Sequence, residues 1–158
     1  MPMLTTNQKG AIAETAIAAE AVASGCGVAI PLANEAYDLI VDIGARLLRI
    51  QCKWAVRQGD VVIIRCRRAR RGPGGFIHQD YREGEIDAIA AHCLEIGRSY
   101  LLPLDLSVGR AAVQLRLGPT RNNQAIGVRW AREFELRGTL DRLRGPIAQL
   151  GERQSGRL

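Results

Sequence analysis

Residues 37–54 of the chain have the sequence YDLIVDIGARLLRIQCKW. The segments Tyr37 to Val41 and Arg46 to Trp54 are rich in leucine and β-branched residues, which favour strands. Between them, Asp42-Ile43-Gly44 favours a turn, because aspartate and glycine tolerate the backbone angles that turns require. The stretch therefore predicts a β-hairpin, and the rest of the chain is expected to be arranged around it.

Polar side chains gather on one face of this predicted hairpin. Side chains alternate along a strand, so Gln51 and Lys53 share a face. A two-residue turn would pair Asp38 with Arg49 and place Asp38 on that same face, whereas a bulge at Gly44 would change the parity. Carboxylate and amide oxygens ligate hard divalent cations, and a lysine can orient a water or balance charge. The alternative, which spacing alone favours, is an ordinary solvated face.

A helix is predicted upstream of the hairpin, from about Asn7 to Ser24. The segment is rich in alanine and is followed by Gly25 and Gly27, which end helices. Glu14 lies about 60° around this helix from Ile17, which packs inward. Glu14 can therefore lie at the edge of the buried face and reach the sheet. The alternative is a solvated helix carboxylate.

The motif residues on these two elements resemble the PD-(D/E)XK nuclease superfamily, and most closely its small bacterial endonucleases, which include group I intron homing endonucleases. Asp38 matches the aspartate of the motif, Gln51 its acidic position and Lys53 its lysine. The segment Lys9-Gly10-Ala11-Ile12-Ala13-Glu14 is similar to the KGxxxE element of related Holliday-junction resolvases. The sequence departs from the motif at two positions. Tyr37 stands in place of the proline, and an amide stands in place of a carboxylate. The second departure removes one negative charge from the site.

The resemblance implies a fold and an activity. The fold is α/β, a mixed central β-sheet flanked by helices with a restriction-endonuclease-like core of the αβββαβ type. The activity is Mg²⁺-dependent (or Mn²⁺-dependent) hydrolysis of phosphodiester bonds in double-stranded DNA, of the site-specific homing type. A homodimer or homotetramer is also expected, because one active site cuts one strand. The alternatives are a Holliday-junction resolvase-like nuclease and a DNA-binding module that no longer cleaves.

The resemblance also implies roles for individual residues. Asp38, the amide oxygen of Gln51 and the backbone carbonyl of Cys52 would hold the metal ion. Lys53 would orient or deprotonate the attacking water. Glu14 would complete the acidic site, as a second metal ligand or a water-positioning group.

The charge of the chain favours a polyanionic partner. The formal net charge is +6 and the isoelectric point is near 9.7. Five arginines precede the segment Gly72-Pro73-Gly74-Gly75, and they are predicted to contact DNA phosphates: Arg65, Arg67, Arg68, Arg70 and Arg71. They would crowd the end of a long strand that runs from Val61 to about Arg68. The alternative for each arginine is a solvated basic tip.

Other candidate DNA contacts lie outside this cluster. Lys9 is one of only two lysines in a chain with twenty arginines, and the other is Lys53. Asn122, Asn123 and Gln124 could contact adenine edges or phosphates, or they could form a turn that needs Asn for left-handed backbone. Residues 76–85 are expected to be irregular. Residues 86–93 and 99–104 are expected to be strands.

Composition bounds the remaining possibilities. The four cysteines show no metal-binding spacing, so no zinc site is predicted. No apolar run is long enough to span a bilayer, and we expect a cytoplasmic protein with no membrane partner. The length fits one nuclease domain over residues 1–137, with residues 138–158 as a C-terminal helix or tail that is partly mobile.

Overall fold

The structure is a computed structural model that describes the backbone of residues 2–155 and the side chains up to residue 145. In chain order its elements are α1 (Thr6–Ala23), β1 (Gly27–Ala29), β2 (Leu39–Asp42), β3 (Leu47–Trp54), β4 (Val56–Gln58), β5 (Val61–Arg65), β6 (Arg68–Gly72), β7 (Gly75–Gln79), β8 (Ala88–Cys93), β9 (Arg98–Pro103), α2 (Leu104–Ser107), β10 (Ala112–Arg116), a 3₁₀ turn (Ala131–Phe134) and α3 (Leu136–Ser155).

A five-stranded sheet with the order β1-β2-β3-β8-β9 forms the centre of the fold. Strands β3 and β8 are parallel, and the other neighbours are antiparallel. The predicted mixed sheet flanked by helices is therefore confirmed. Strands β4 to β7, and no helix, make up the described connection between the two parallel strands.

Helix α1 covers one face of the central sheet, as its alanine-rich sequence predicts. Its first turn is closed by a capping box, in which the Thr5 hydroxyl accepts from the Gln8 amide at 3.2 Å. Ala13 and Ile17 are buried against Leu48 and Ile50 of β3. Small helix residues let the backbone approach the sheet closely, and this approach brings Glu14 near β3.

A second core lies on the opposite face of the central sheet. The antiparallel sheet β10-β5-β4 contributes Val62, Ile64 and Leu115, which pack with Ile89 and Leu102 of the central sheet. Side chains alternate on these strands, so the residues between the buried ones point away from the core. The three-stranded sheet thus has one buried face and one face that solvent reaches.

The hairpin β2–β3 has a different register from the predicted one. Ile40 pairs with Arg49, so Asp38 lies opposite Gln51 and not opposite Arg49. The predicted position of the turn, Ile43-Gly44, was wrong by one residue, because Ile43 donates to the Arg46 carbonyl at 3.1 Å and only Gly44 and Ala45 lie between these two residues. The shift is two residues, an even number, so Asp38 still belongs to the face of Gln51.

The arginine-rich segment forms a hairpin of its own, which the sequence analysis did not predict. The predicted strand from Val61 to Arg68 ends at Arg65, and β6 and β7 then pair as a separate two-stranded ribbon. The expected irregular structure over residues 76–85 was wrong for residues 76–79, which lie in β7. Gly75 has a φ of 118° at the turn, and only glycine adopts such an angle readily.

Helix α3 joins the domain through its first turns. Leu136 and Leu140 are buried in the core beneath α1, and the Arg137 guanidinium donates to the Ala23 carbonyl at 3.1 Å. The helix is interrupted at Gly145, where φ is 68°. The predicted mobility of the chain end falls on residues that lie outside the described part. These are the side chains from residue 146 onward and the backbone of residues 156–158. No helix in the described chain is long and apolar enough to cross a membrane.

Candidate active site

The motif aspartate, which immediately precedes β2, meets the motif residues of β3 at one point. Asp38 Oδ2 accepts a hydrogen bond from the Cys52 backbone amide at 2.8 Å and another from Gln51 Nε2 at 2.7 Å. The same Nε2 lies 3.4 Å from the Cys52 carbonyl oxygen. A carboxylate oxygen and a backbone carbonyl oxygen therefore converge on one position, which the amide nitrogen of Gln51 fills.

Two carboxylates share this site. Burial raises the pKa of Asp38 above its ordinary range, although the Cys52 hydrogen bond and the nearby Lys53 ammonium partly offset the effect. Partial burial and the negative charge of Asp38 raise the pKa of Glu14 as well. The structure thus brings Glu14 on α1 and Asp38, which immediately precedes β2, close enough to interact electrostatically. A divalent cation would relieve the repulsion between their charged forms.

Lys53 is held on two sides. Its Nζ donates to the Arg67 carbonyl at 3.0 Å and lies 5.3 Å from the centre of the Tyr81 ring. Burial lowers the pKa of Lys53, and the attraction of Asp38 opposes that shift. An ammonium with a lowered pKa gives up a proton more easily than an exposed lysine does.

Tyr81 belongs to the site, and the sequence analysis missed it. Its ring has Lys53 on one side, and the guanidinium of Arg68 lies 5.1 Å from its centre. Arg68 in turn forms an ion pair with Glu85. Tyr81 reaches Lys53 only because the β6–β7 ribbon folds back on itself. No local pattern in the sequence could have signalled this contact.

The oxygen ligands available to a metal ion are few. Among the described residues, no cluster of three His, Cys, Asp or Glu side chains could hold one. The site offers Asp38, the Cys52 carbonyl, Glu14 nearby and the amide of Gln51. Two carboxylates, a carbonyl and an amide oxygen suit Mg²⁺, which keeps several water ligands and needs few protein ligands. The residues present therefore fit a hard divalent cation.

The predicted DNA-contacting residues divide between two environments. Arg65 is exposed and lines the same hollow as Lys53. Arg67 is paired with Asp80 at 2.9 Å, whereas Arg70 and Arg71 are exposed on β6. The basic segment is thus adjacent to the candidate site, and part of its charge is already neutralised within the protein.

Lys9 and the polar loop residues lie in other places. The Lys9 ammonium is 5.9 Å from the centre of the Trp54 ring. Trp54 directly follows Lys53 in the sequence. Asn123 has a φ of 54°, and Asn122 Oδ1 accepts from the Gln124 amide at 3.3 Å. The loop therefore uses its asparagines to form the turn. It lies apart from the motif residues, beside β10.

Comparison with known proteins agrees with this geometry. A family model described as PD-(D/E)XK endonuclease matches residues 4–137, most of the chain. The chain belongs to the PD-(D/E)XK endonuclease family. It is a nuclease enzyme, and the substrate class of this family is DNA.

A solved structure shows the same fold. The bacterial homing endonuclease I-Ssp6803I superposes on this endonuclease with a TM-score of 0.68 and 24% sequence identity, covering 96% of this chain and 99% of that one. At that identity the likeness concerns the fold alone. No curated protein matches the sequence.

Proposed function

We propose that this endonuclease hydrolyses phosphodiester bonds in duplex DNA with Mg²⁺ or Mn²⁺ and that it acts at specific sites. The observation that carries the proposal is the convergence of Asp38 Oδ2 and the Cys52 carbonyl oxygen on one point. Lys53 follows directly on the same strand, and exposed arginines adjoin the site. Oxygen ligands, a half-buried lysine and a basic surface suit metal-assisted cleavage of DNA.

Asp38, the Cys52 carbonyl and Gln51 would hold the cation. A half-turn of the Gln51 amide about its terminal torsion would exchange nitrogen for oxygen at the convergence point. When bound, the cation would lower the pKa of a water and neutralise charge on the phosphate. Cleavage then needs Asp38 in its charged form, so activity is expected to rise with pH through its raised pKa.

Lys53 and Glu14 would assist the attack on phosphorus. The ammonium of Lys53 is held by the Arg67 carbonyl and the Tyr81 ring, so its position is defined before the substrate arrives. From there it can orient a water or neutralise charge that develops on the phosphate. Glu14 is the second carboxylate beside Asp38, where it would position a water or a second metal ligand.

Homing-type specificity and an oligomer are further parts of the proposal. The solved structure with the same fold is that of a bacterial homing endonuclease. A double-strand break requires two active sites, because each cuts one strand. A homodimer or homotetramer would supply them and would favour a pseudo-palindromic target.

A DNA-binding module without cleavage is the second candidate. The observation that favours it is the amide nitrogen of Gln51, which donates to Asp38 where a metal ligand is needed. If the amide kept this orientation, the protein would bind DNA through its arginines and leave it intact.

Incubation of the purified protein with three substrates tests the proposal. The substrates are a supercoiled plasmid that carries random inserts, a linear duplex and a four-way junction. Each is incubated with Mg²⁺, with Mn²⁺ and with chelator. We expect linear products from plasmid in the presence of metal and none with chelator. Cutting confined to the junction would favour a resolvase, and binding without cutting would favour the silent module.

A further inference from the structure

Strands β5 and β10 present an exposed surface on which Arg65 is the one predicted site residue among the central side chains. It is the solvent side of the three-stranded sheet, and we call it the outer sheet face; its central residues are Ile63, Arg65, Ala112, Gln114 and Arg116. Arg65 pairs with Ala112, and Gln114 pairs with Ile63. The residues between them are buried, so these side chains all point the same way.

The outer sheet face is continuous with the candidate active site. A hollow of about 710 Å³ contains Lys53, Arg65, His78 and Ala112 in its walls. A second hollow of about 410 Å³ lies along the same face and contains Ala112, Gln114 and Arg129. Because Ala112 borders both hollows, a ligand on the outer sheet face would extend from the catalytic lysine along β10.

The charge of these hollows matches a polyanion. Their described walls contain one lysine and five arginines and no carboxylate: Lys53, Arg65, Arg67, Arg110, Arg116 and Arg129. The surface between these cations includes the Trp54 ring together with alanine and β-branched side chains. This combination fits a duplex, which has a charged backbone and a flat, partly apolar groove floor.

Arg65 and Gln114 are available for a ligand. In the described chain neither side chain has a hydrogen-bond partner, whereas Arg67 is paired with Asp80 and Arg116 donates to the Gly118 carbonyl at 3.1 Å. Gln114 is neutral, so it adds nothing to phosphate attraction. An exposed amide can, however, make two hydrogen bonds to an adenine edge, and a guanidinium can do the same to guanine.

We propose that the outer sheet face enters the major groove and that Gln114 and Arg65 contact base edges next to the cleaved bond. The inference rests on the proposed function and adds the residues that select the sequence. A pair of antiparallel strands fits the major groove. Gln114 lies two residues along β10 from Ala112, which pairs with Arg65. Two strand residues extend roughly 7 Å, and this distance equals the rise of about two base pairs.

Binding selection from a library of random duplexes tests this assignment. The wild type, Gln114→Ala and Gln114→Arg would each select duplexes, which are then sequenced. Asn34→Ala is the matched control, because Asn34 is an exposed amide that borders neither hollow. We expect Gln114→Ala to lose preference at one base pair and to bind the wild-type site about 5- to 150-fold more weakly. Gln114→Arg should shift that position from adenine towards guanine.

The salt dependence separates base contacts from phosphate contacts. The slope of log affinity against log salt should stay the same in Gln114→Ala, because no phosphate contact is lost. Selected sites identical to those of the wild type in both Gln114 variants would overturn the assignment, as would a wild type that binds duplex without preference. Neither result would affect the proposed cleavage chemistry, although binding without preference would also contradict the proposed site specificity. A wild type that does not bind duplex at all would overturn both proposals.

Discussion

Gln51 Nε2 donates a hydrogen bond to Asp38 Oδ2 across 2.7 Å. The residue that replaces a motif carboxylate therefore donates a hydrogen bond to the carboxylate that remains. A glutamate at this position would instead place a second negative charge against Asp38, whose pKa burial already raises. The amide thus stabilises the site without metal, and metal binding must compete with this hydrogen bond.

Gln51→Glu should reduce the Mg²⁺ concentration that gives half-maximal cleavage, by roughly tenfold, because a charged ligand binds the cation more tightly. The measurement is a Mg²⁺ titration of plasmid cleavage. Gln8→Glu is the control, since it adds the same charge in the capping box and glutamate is equally suited to that position. An unchanged or higher Mg²⁺ requirement in a folded Gln51→Glu protein would contradict the account.

Asp38→Asn should make the metal-free protein more stable at neutral pH. Burial raises the pKa of Asp38, so folding favours the protonated form, and this stabilisation is lost as pH rises through the folded-state pKa. The variant should melt higher than wild type by roughly 2–4 °C at pH 7, and the difference should shrink towards pH 4. Thermal unfolding in chelator at both pH values measures it. A variant equally destabilised at both pH values would show that Asp38 has a structural role instead.

Arg70 and Arg71 should account for more of the salt dependence than Arg67 and Arg68. The first two are exposed and have no carboxylate partner in the described chain, whereas Arg67 and Arg68 are paired with acids. The Arg70→Ala, Arg71→Ala double variant should lower the slope of log affinity against log salt by about 1.8.

The matching double variant of Arg67 and Arg68 should lower the slope by less. Arg98→Ala is a control, because Arg98 pairs with Glu135 on another part of the surface. Equal slopes in all of these proteins would mean that the β6–β7 ribbon does not contact phosphate.

Tyr81 should act through its ring and not through its hydroxyl. Tyr81→Phe keeps a ring beneath the Lys53 ammonium and should cleave at nearly the wild-type rate. Tyr81→Leu should lower the single-turnover rate about 5- to 30-fold at saturating DNA, since a desolvated cation–π contact contributes about 1–2 kcal/mol. DNA affinity should change little. A loss of the same size in the phenylalanine variant would show that the hydroxyl matters.

Local patterns predicted the elements that form the candidate site. Leucine and β-branched residues define β2 and β3, and an alanine-rich run defines α1, so these elements were placed within a few residues. The register was missed because the turn lies one residue later than predicted, at Gly44-Ala45, where Asp42 Oδ1 accepts from the Gly44 amide at 2.8 Å. Such a bond depends on one side-chain rotamer, which sequence spacing does not determine.

Local sequence patterns did not predict the contacts between distant segments. The β6–β7 ribbon has no apolar face, so its arginines and glycines resembled a loop. The approach of Tyr81 to Lys53 spans 28 residues and depends on that ribbon. The outer sheet face likewise forms only when β10 pairs with β5 across the intervening β6–β9 strands.

The central claim is that Asp38 and Lys53 carry out cleavage of DNA. Cleavage of a supercoiled plasmid in Mg²⁺ by wild type, Asp38→Ala and Lys53→Ala, prepared identically, tests it most directly. We expect Lys53→Ala to be slower by about 10²–10⁴-fold and Asp38→Ala to show no cleavage, while both bind DNA at least nearly as well as wild type. If both variants cut the plasmid as fast as the wild type, the assignment of this site is wrong.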